Sequence, residues 1–221
     1  MRMRRKKHLE EKLERCTNLL EFPTVTKDYR EILKDKAYLD MQALFGNDHP
    51  VQMEIGCGKG AFITELAKRE PDVNFLAVEI NRSVLCTACE LALSHNVRNV
   101  IFLHLGAEVL PKYIEPHSVG RIYLNFSCPL PKKTYANHRL TNLKFLEIYR
   151  ELLAPGAEIH QKTDNMHFFE YSLEQYSLAG YKLKNVSLDL HHSDFEGNIV
   201  TEYERRFSSQ GYPIYRLEAY L

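Results

Sequence analysis

The 221-residue chain contains no tryptophan and no surplus of charge, because 29 lysines and arginines are matched by 29 aspartates and glutamates. A zero sum argues for no particular partner, so the distribution of charge matters more than its total. There is no run of about eighteen apolar residues, the length a membrane-crossing helix needs. The opening stretch MRMRRKKHLEEKLER is basic but lacks the apolar segment of an export signal. Five cysteines, an odd number, argue in such a chain against a disulfide framework and for a reducing cytoplasm. No internal repeat and no low-complexity segment interrupts it.

What is present has a regular order. VQMEI, NFLAVEI, VIFLHL, RIYLNF and AEIHQKT are short apolar or β-branched runs, as expected of strands covered on both faces. Helical segments separate them: AFITELAKRE, RSVLCTACELALS and HRLTNLKFLEIYRELLA, the last stopped at Pro155-Gly156. KLKNVSLDL and PIYRLEAYL add two more strands. The alternation predicts an α/β fold with a doubly wound, seven-strand, Rossmann-like sheet. By pattern the chain divides into a basic N-terminal arm and helical segment, residues 1–45, and a main domain, residues 46–221. Charge gathers at Arg2, Arg4, Arg5, Lys6 and Lys7, and again at Lys132, Lys133 and Arg139. Either cluster can meet phosphates; the arm reads equally well as a solvated tail.

In such a sheet the ligand sits beyond the carboxyl ends of the strands, at the switch in strand order. The first loop there is MEIGCGKGAF. Gly56, Gly58 and Gly60 permit a tight turn and a close backbone approach at a helix N-terminus. The spacing Gly56, Gly58, Ala61 also satisfies a dinucleotide fingerprint. Glu54 argues against one, since a carboxylate before the glycines repels a pyrophosphate and suits an ammonium. Glu79 closes the second strand, where an acid accepts hydrogen bonds from ribose hydroxyls. Together the two acids favour S-adenosylmethionine over a nicotinamide dinucleotide.

Other residues carry bland readings. Cys86 and Cys89 form C-x-x-C inside an apolar helical run without a second ligand pair, so they read as core, and His191-His192 as a polar loop; no metal is expected. Asp164 follows a buried strand and reads either as a helix cap or as a site residue.

Four motifs, EIGCGKGAF, YLNFSCPLPKK, HQKTDN followed by FEYS, and EGNIVTEYERRF, occur in order along nearly the whole chain. In these it resembles the bacterial tRNA (guanine-N7)-methyltransferases, which modify a guanine of the tRNA variable loop. The resemblance implies a class I S-adenosylmethionine-dependent methyltransferase fold, tRNA as substrate and a cytoplasmic enzyme; a homodimer is left open. It implies cofactor contacts from Glu54, Gly56, Gly58, Gly60, Glu79, Gly106, Glu108 and Cys128, and catalytic positions at Cys128 and Asp164. Lys132, Asp164, Thr201, Glu202, Tyr203 and Glu204 are implied to face the guanine or nearby RNA. Lys133, Thr134, Tyr135, His138 and Arg139 are implied to touch the RNA backbone.

Three positions depart from the family pattern. Cys128 stands where the family has an aspartate, Leu130 where it has a tryptophan, and Gly106 where an acid is common, with Glu108 two residues on. Guanine N7 has its own lone pair and needs no deprotonation, so the enzyme's work is alignment and a hold on the base edge. A carboxylate can hold N1–H and N2–H2, whereas a neutral thiol is a poor donor and acceptor. Loss of one charge-assisted hydrogen bond costs about 1.5–3 kcal/mol, or about 10- to 150-fold in rate. The alternative reading is therefore a paralogue that binds tRNA or cofactor with little methyl transfer.

Overall fold

A computed structural model describes residues 7–23 and 29–221. Arg2, Arg4, Arg5 and Lys6 of the basic arm lie outside the described residues. The strands are β1 (Leu19–Glu21), β2 (Val51–Ile55), β3 (Asn74–Val78), β4 (Val100–His104), β5 (Val119–Asn125), β6 (Leu153–Thr163), β7 (Lys182–Ser187) and β8 (Tyr215–Tyr220). They form one sheet in the order β1-β4-β3-β2-β5-β6-β8-β7, with β8 antiparallel to its neighbours and the other pairs parallel. The helices are α1 (Leu9–Glu14), α2 (Tyr29–Ile32), α3 (Met41–Phe45), α4 (Ala61–Arg69), α5 (Arg82–Ser94), α6 (Leu110–Tyr113), α7 (Leu143–Leu152), α8 (Met166–Leu178) and α9 (Glu202–Ser208).

The central strands read as apolar runs because both faces are covered. Phe75 and Ala77 of β3 point into a core with Phe62, Ile63 and Leu66 of α4 and Leu85 and Ala88 of α5. Leu76 and Val78 point the other way, into a core with Phe145, Leu146 and Tyr149 of α7 and Phe169 of α8. This is the period-two alternation of a strand sandwiched between helical layers. The chain leaves β2 for β3 on one side and reaches β5 on the other, so the switch point lies between β2 and β5.

Two expectations are corrected. The sheet has eight strands rather than seven, because Leu19, Leu20 and Glu21 pair with Phe102, Leu103 and His104. The helix read from His138 to Ala154 starts only at Leu143, capped by Asn142, whose side chain accepts from the Lys144 N–H at 3.2 Å. Residues 133–138 form a 3-10 turn instead, and strand β6 begins at Leu153, ahead of the expected stop.

Candidate active site at the carboxyl ends of the central strands

Strand β2 delivers Glu54 and then the glycine loop. Gly60, the residue before α4, has φ +76°, and a Cβ there would lie 2.7 Å from the Cβ of Ala88 on α5. Only glycine satisfies both the left-handed turn and the close approach. Glu79, at the end of β3, ties the loop down: one carboxylate oxygen accepts from the Gly58 N–H at 3.2 Å and the other from the Asn81 N–H at 2.8 Å. Gly56, Gly58, Gly60, Glu54 and Glu79 are thus gathered in one place.

Glu54 is 2% exposed. Its Oε1 accepts from Asn125 Nδ2 at 3.0 Å, while its Oε2 is buried without a partner among the described residues. Burial pushes the carboxyl up to about 7, against the pull of the Asn125 hydrogen bond and the positive charge of Lys162. The Ile63 backbone N–H also favours its ionised form.

Gly106 opens the 3-10 turn after β4 with an ordinary φ of −84°. A Cβ at 106 would stand 2.9 Å from Glu108 Oε2, so the Glu108 carboxylate folds back over the glycine into the space a longer residue would fill. Lys144 reaches Glu108 Oε1 at 3.3 Å.

After β5 the chain turns through Phe126 (φ 51°) and Leu130 (φ 43°), two non-glycine residues in left-handed backbone on either side of Cys128. Such strain persists where the surroundings enforce it, and it gathers at functional loops. The Phe126 N–H donates to the Lys162 carbonyl at 2.8 Å, and Arg139 donates to the Leu130 carbonyl from Nη2 at 3.0 Å and Nε at 3.3 Å. The Arg139 guanidinium also lies 4.3 Å from the ring centre of Tyr171. Arg139 is therefore engaged inside the protein, holding the loop. Lys132, Lys133, Thr134, Tyr135 and His138 are exposed.

Cys128 is exposed and free. Beside it are Asp164 and Tyr203: the Tyr203 phenol is raised by burial, then by the charge of Asp164 and a hydrogen bond with it, and Cys128 contributes too. The Tyr203 ring packs 5.0 Å from Phe126. Asp164 is not the cap of α8; that role falls to Asn165, which accepts from the Phe168 N–H at 2.8 Å. Thr201 caps α9, accepting from the Glu204 N–H at 3.1 Å, and Glu202 is exposed on the first turn.

Glu204 is placed differently from the other substrate candidates. It is 0% exposed and bound to Lys162 Nζ at 2.7 Å, to Asn198 Nδ2 at 2.7 Å and to His191 Nε2 at 3.1 Å. Its carboxylate faces inward, toward β6. Lys162, Asn125 and Asn198 are the polar residues that sequence reasoning missed. The available signal was a lysine inside an otherwise buried strand, where an unpaired charge is not tolerated. One further group, Glu158, His160 and Glu218, has ligand atoms close together, but Lys184 and Arg216 already bind its carboxylates.

A glycine loop closed by one acid and preceded by another, at the switch point of a doubly wound sheet, is the arrangement of the class I S-adenosylmethionine-dependent methyltransferase fold. Solved structures bear out the fold: a 16S rRNA methyltransferase, KamB, superposes with TM-score 0.59 over 83% of this chain and 94% of that one, at 16% identity. A SAM-dependent methyltransferase from Aquifex aeolicus gives TM-score 0.55 at 17% identity, over 87% of this chain and 88% of that one. Residues 48–217 match the family described as Putative methyltransferase. A tRNA (guanine-N(7)-)-methyltransferase of Listeria monocytogenes is 45% identical over 219 residues, 99% of this chain and 98% of the relative. One from Streptococcus gordonii is 49% identical over 178 residues, 80% of this chain and 84% of the relative. The chain belongs to the tRNA (guanine-N7)-methyltransferase family. No helix among the described residues is long and apolar enough to cross a membrane.

Proposed function

We propose that this protein transfers a methyl group from S-adenosylmethionine to N7 of a guanine in tRNA. The observation that carries the reading is the 45% identity to the Listeria relative across 99% of the chain, with the glycine loop and both of its acids in place. The residues fit the cofactor. The unpartnered, buried Oε2 of Glu54 suits an ammonium, Glu79 retains lone pairs for ribose hydroxyls, and Glu108, folded over Gly106, supplies an acid where the family commonly has one. The cofactor, when bound, supplies an electrophilic methyl on a sulfonium.

The chain's own work is then positioning. The turn from Phe126 to Leu130, held by Arg139, brings Cys128 against Asp164 and Tyr203. Asp164 is the carboxylate that meets the N1–H and N2–H2 edge of guanine and favours the positive charge developing on the ring; Tyr203 orients it. Cys128 supplies neither function, so the enzyme works with one carboxylate where the family has two. Lys132, Lys133, Thr134, Tyr135 and His138, exposed on one turn, meet the RNA backbone. A tRNA substrate fits a cytoplasmic enzyme.

Labelled S-adenosylmethionine with unmodified tRNA tests this. The native protein is expected to place label at N7 of a variable-loop guanine. Cys128→Asp should raise the rate about tenfold or more, and Asp164→Asn should lower it about 10- to 150-fold. If the native protein binds tRNA and cofactor yet transfers nothing, the reading of a binding paralogue replaces this one.

A further inference from the structure

Four buried groups form a row across the carboxyl ends of adjacent strands and into α9. Glu54 on β2 is 2% exposed, Asn125 on β5 9%, Lys162 on β6 5% and Glu204 on α9 0%. Strands β2, β5 and β6 are neighbours, and Asn125 and Lys162 are direct partners in register. Asn125 donates to Glu54 at 3.0 Å. The three protons of the Lys162 ammonium go to Glu204 Oε2 at 2.7 Å, Asn198 Oδ1 at 2.9 Å and the Ile199 carbonyl at 3.0 Å. Lys162 is thus the anchor of the segment 198–204, which carries Tyr203 to Asp164 and Cys128.

The row holds two carboxylates and one ammonium. With Glu54 ionised the ammonium does not balance both acids; Lys162 feels Glu204 and Glu54 alike, while Glu204 also has His191 Nε2 at 3.1 Å. A buried charge without its counter-ion costs several kcal/mol, and the Lys162 ammonium is drawn toward Glu204 and toward Glu54 at once. A cationic ligand on the free Oε2 of Glu54 neutralises that acid and leaves Glu204 as the one that draws Lys162.

Resting on the proposed methyltransferase reading, we infer that Lys162 and Asn125 are positioning residues coupling the two halves of the site: a cationic cofactor at Glu54 tightens the grip of Lys162 on residues 198–204 and thereby strengthens tRNA binding. By linkage, tRNA strengthens cofactor binding by the same factor.

S-adenosylhomocysteine is the probe, since it keeps the ammonium and has no methyl to transfer. The Kd for tRNA is measured with and without it at saturation, and amide hydrogen exchange is followed over residues 198–204. The native protein should bind tRNA about fivefold or more tightly with the probe, and exchange over 198–204 should slow. Lys162→Met combined with Glu204→Gln removes both members of the buried ion pair together and leaves Glu54 as the one buried acid of the row. It should still bind each ligand, with the ratio of the two tRNA constants reduced to about one. Asn125→Ala should shrink the same ratio. A purely structural role would weaken binding in both states and leave the ratio unchanged. An unchanged tRNA Kd in the native protein, or a retained ratio in the double variant, overturns the inference. If tRNA binds in neither state, the functional reading falls, while exchange over 198–204 still decides the coupling.

Discussion

The carboxyl of Glu54, raised by burial to about 7, makes the site pH-sensitive in two opposite senses. In the unfolded chain this group has the ordinary value of 4.5, so folding takes up a proton. The stability it contributes is fully present below pH 4.5 and is lost as pH rises through 7. Holding an ammonium requires the ionised form, so cofactor affinity moves the other way. It should rise about tenfold per pH unit up to about 7 and then level off. Calorimetric titration between pH 5.5 and 8.5 measures the profile. Glu54→Gln should flatten it while raising the melting temperature of the ligand-free protein at pH 8. Glu21, Glu158 and Glu218 are lowered from 4.5, and burial holds His160 down at about 4.

Among the elements, the loop between β2 and α4 was the most legible, because its glycines and flanking acids are contiguous in sequence. Its glycines are nevertheless unequal, and only packing shows it. Both Gly56 and Gly60 have left-handed backbone, but a Cβ at 56 would meet only Leu140 Cδ1 at an ordinary 3.5 Å, whereas at 60 it would run into Ala88. Gly56→Ala should cost about 1 kcal/mol from backbone strain alone. Gly60→Ala adds overpacking against α5 and should cost about 2–4 kcal/mol. Urea midpoints of the two variants give the comparison, and equal losses would refute it. The turn after β5 was legible in its prolines and polar residues, not in its support. Arg139, implied to touch RNA, is drawn inward by Leu130 and Tyr171, contacts that no local pattern encodes.

At the scale of the molecule, the N-terminal segment joins the main sheet. A boundary at residue 46 follows the change in sequence pattern, yet β1 pairs with β4, and Leu9 and Leu13 are buried with Cys86 of α5. Arg82 at the start of α5 donates to Glu21 and Glu10. Burying two leucines contributes about 3–6 kcal/mol, and each kcal/mol moves the melting point of a chain this size by about 2–4 °C. Deleting residues 1–23 should therefore lower it by about 10 °C, as read by scanning calorimetry. An unchanged melt would make the segment an appendage of an independent domain.

The order of strands and helices, the glycine loop with its two acids and the family were determined by sequence alone, because each is written in contiguous residues: a both-sided burial pattern, a turn that needs glycine, four motifs in series. Strand β1 was not, since three residues make no periodic signal and the pairing, Leu19 with Phe102, depends on an edge built 83 residues later. The assignment of charges was decided only in three dimensions. Lys162 meets Glu204 across 42 residues and Asn125 meets Glu54 across 71, because strand order places them side by side. The charge that a buried acid or base answers to is set by its neighbours in space, and those are a property of the sheet.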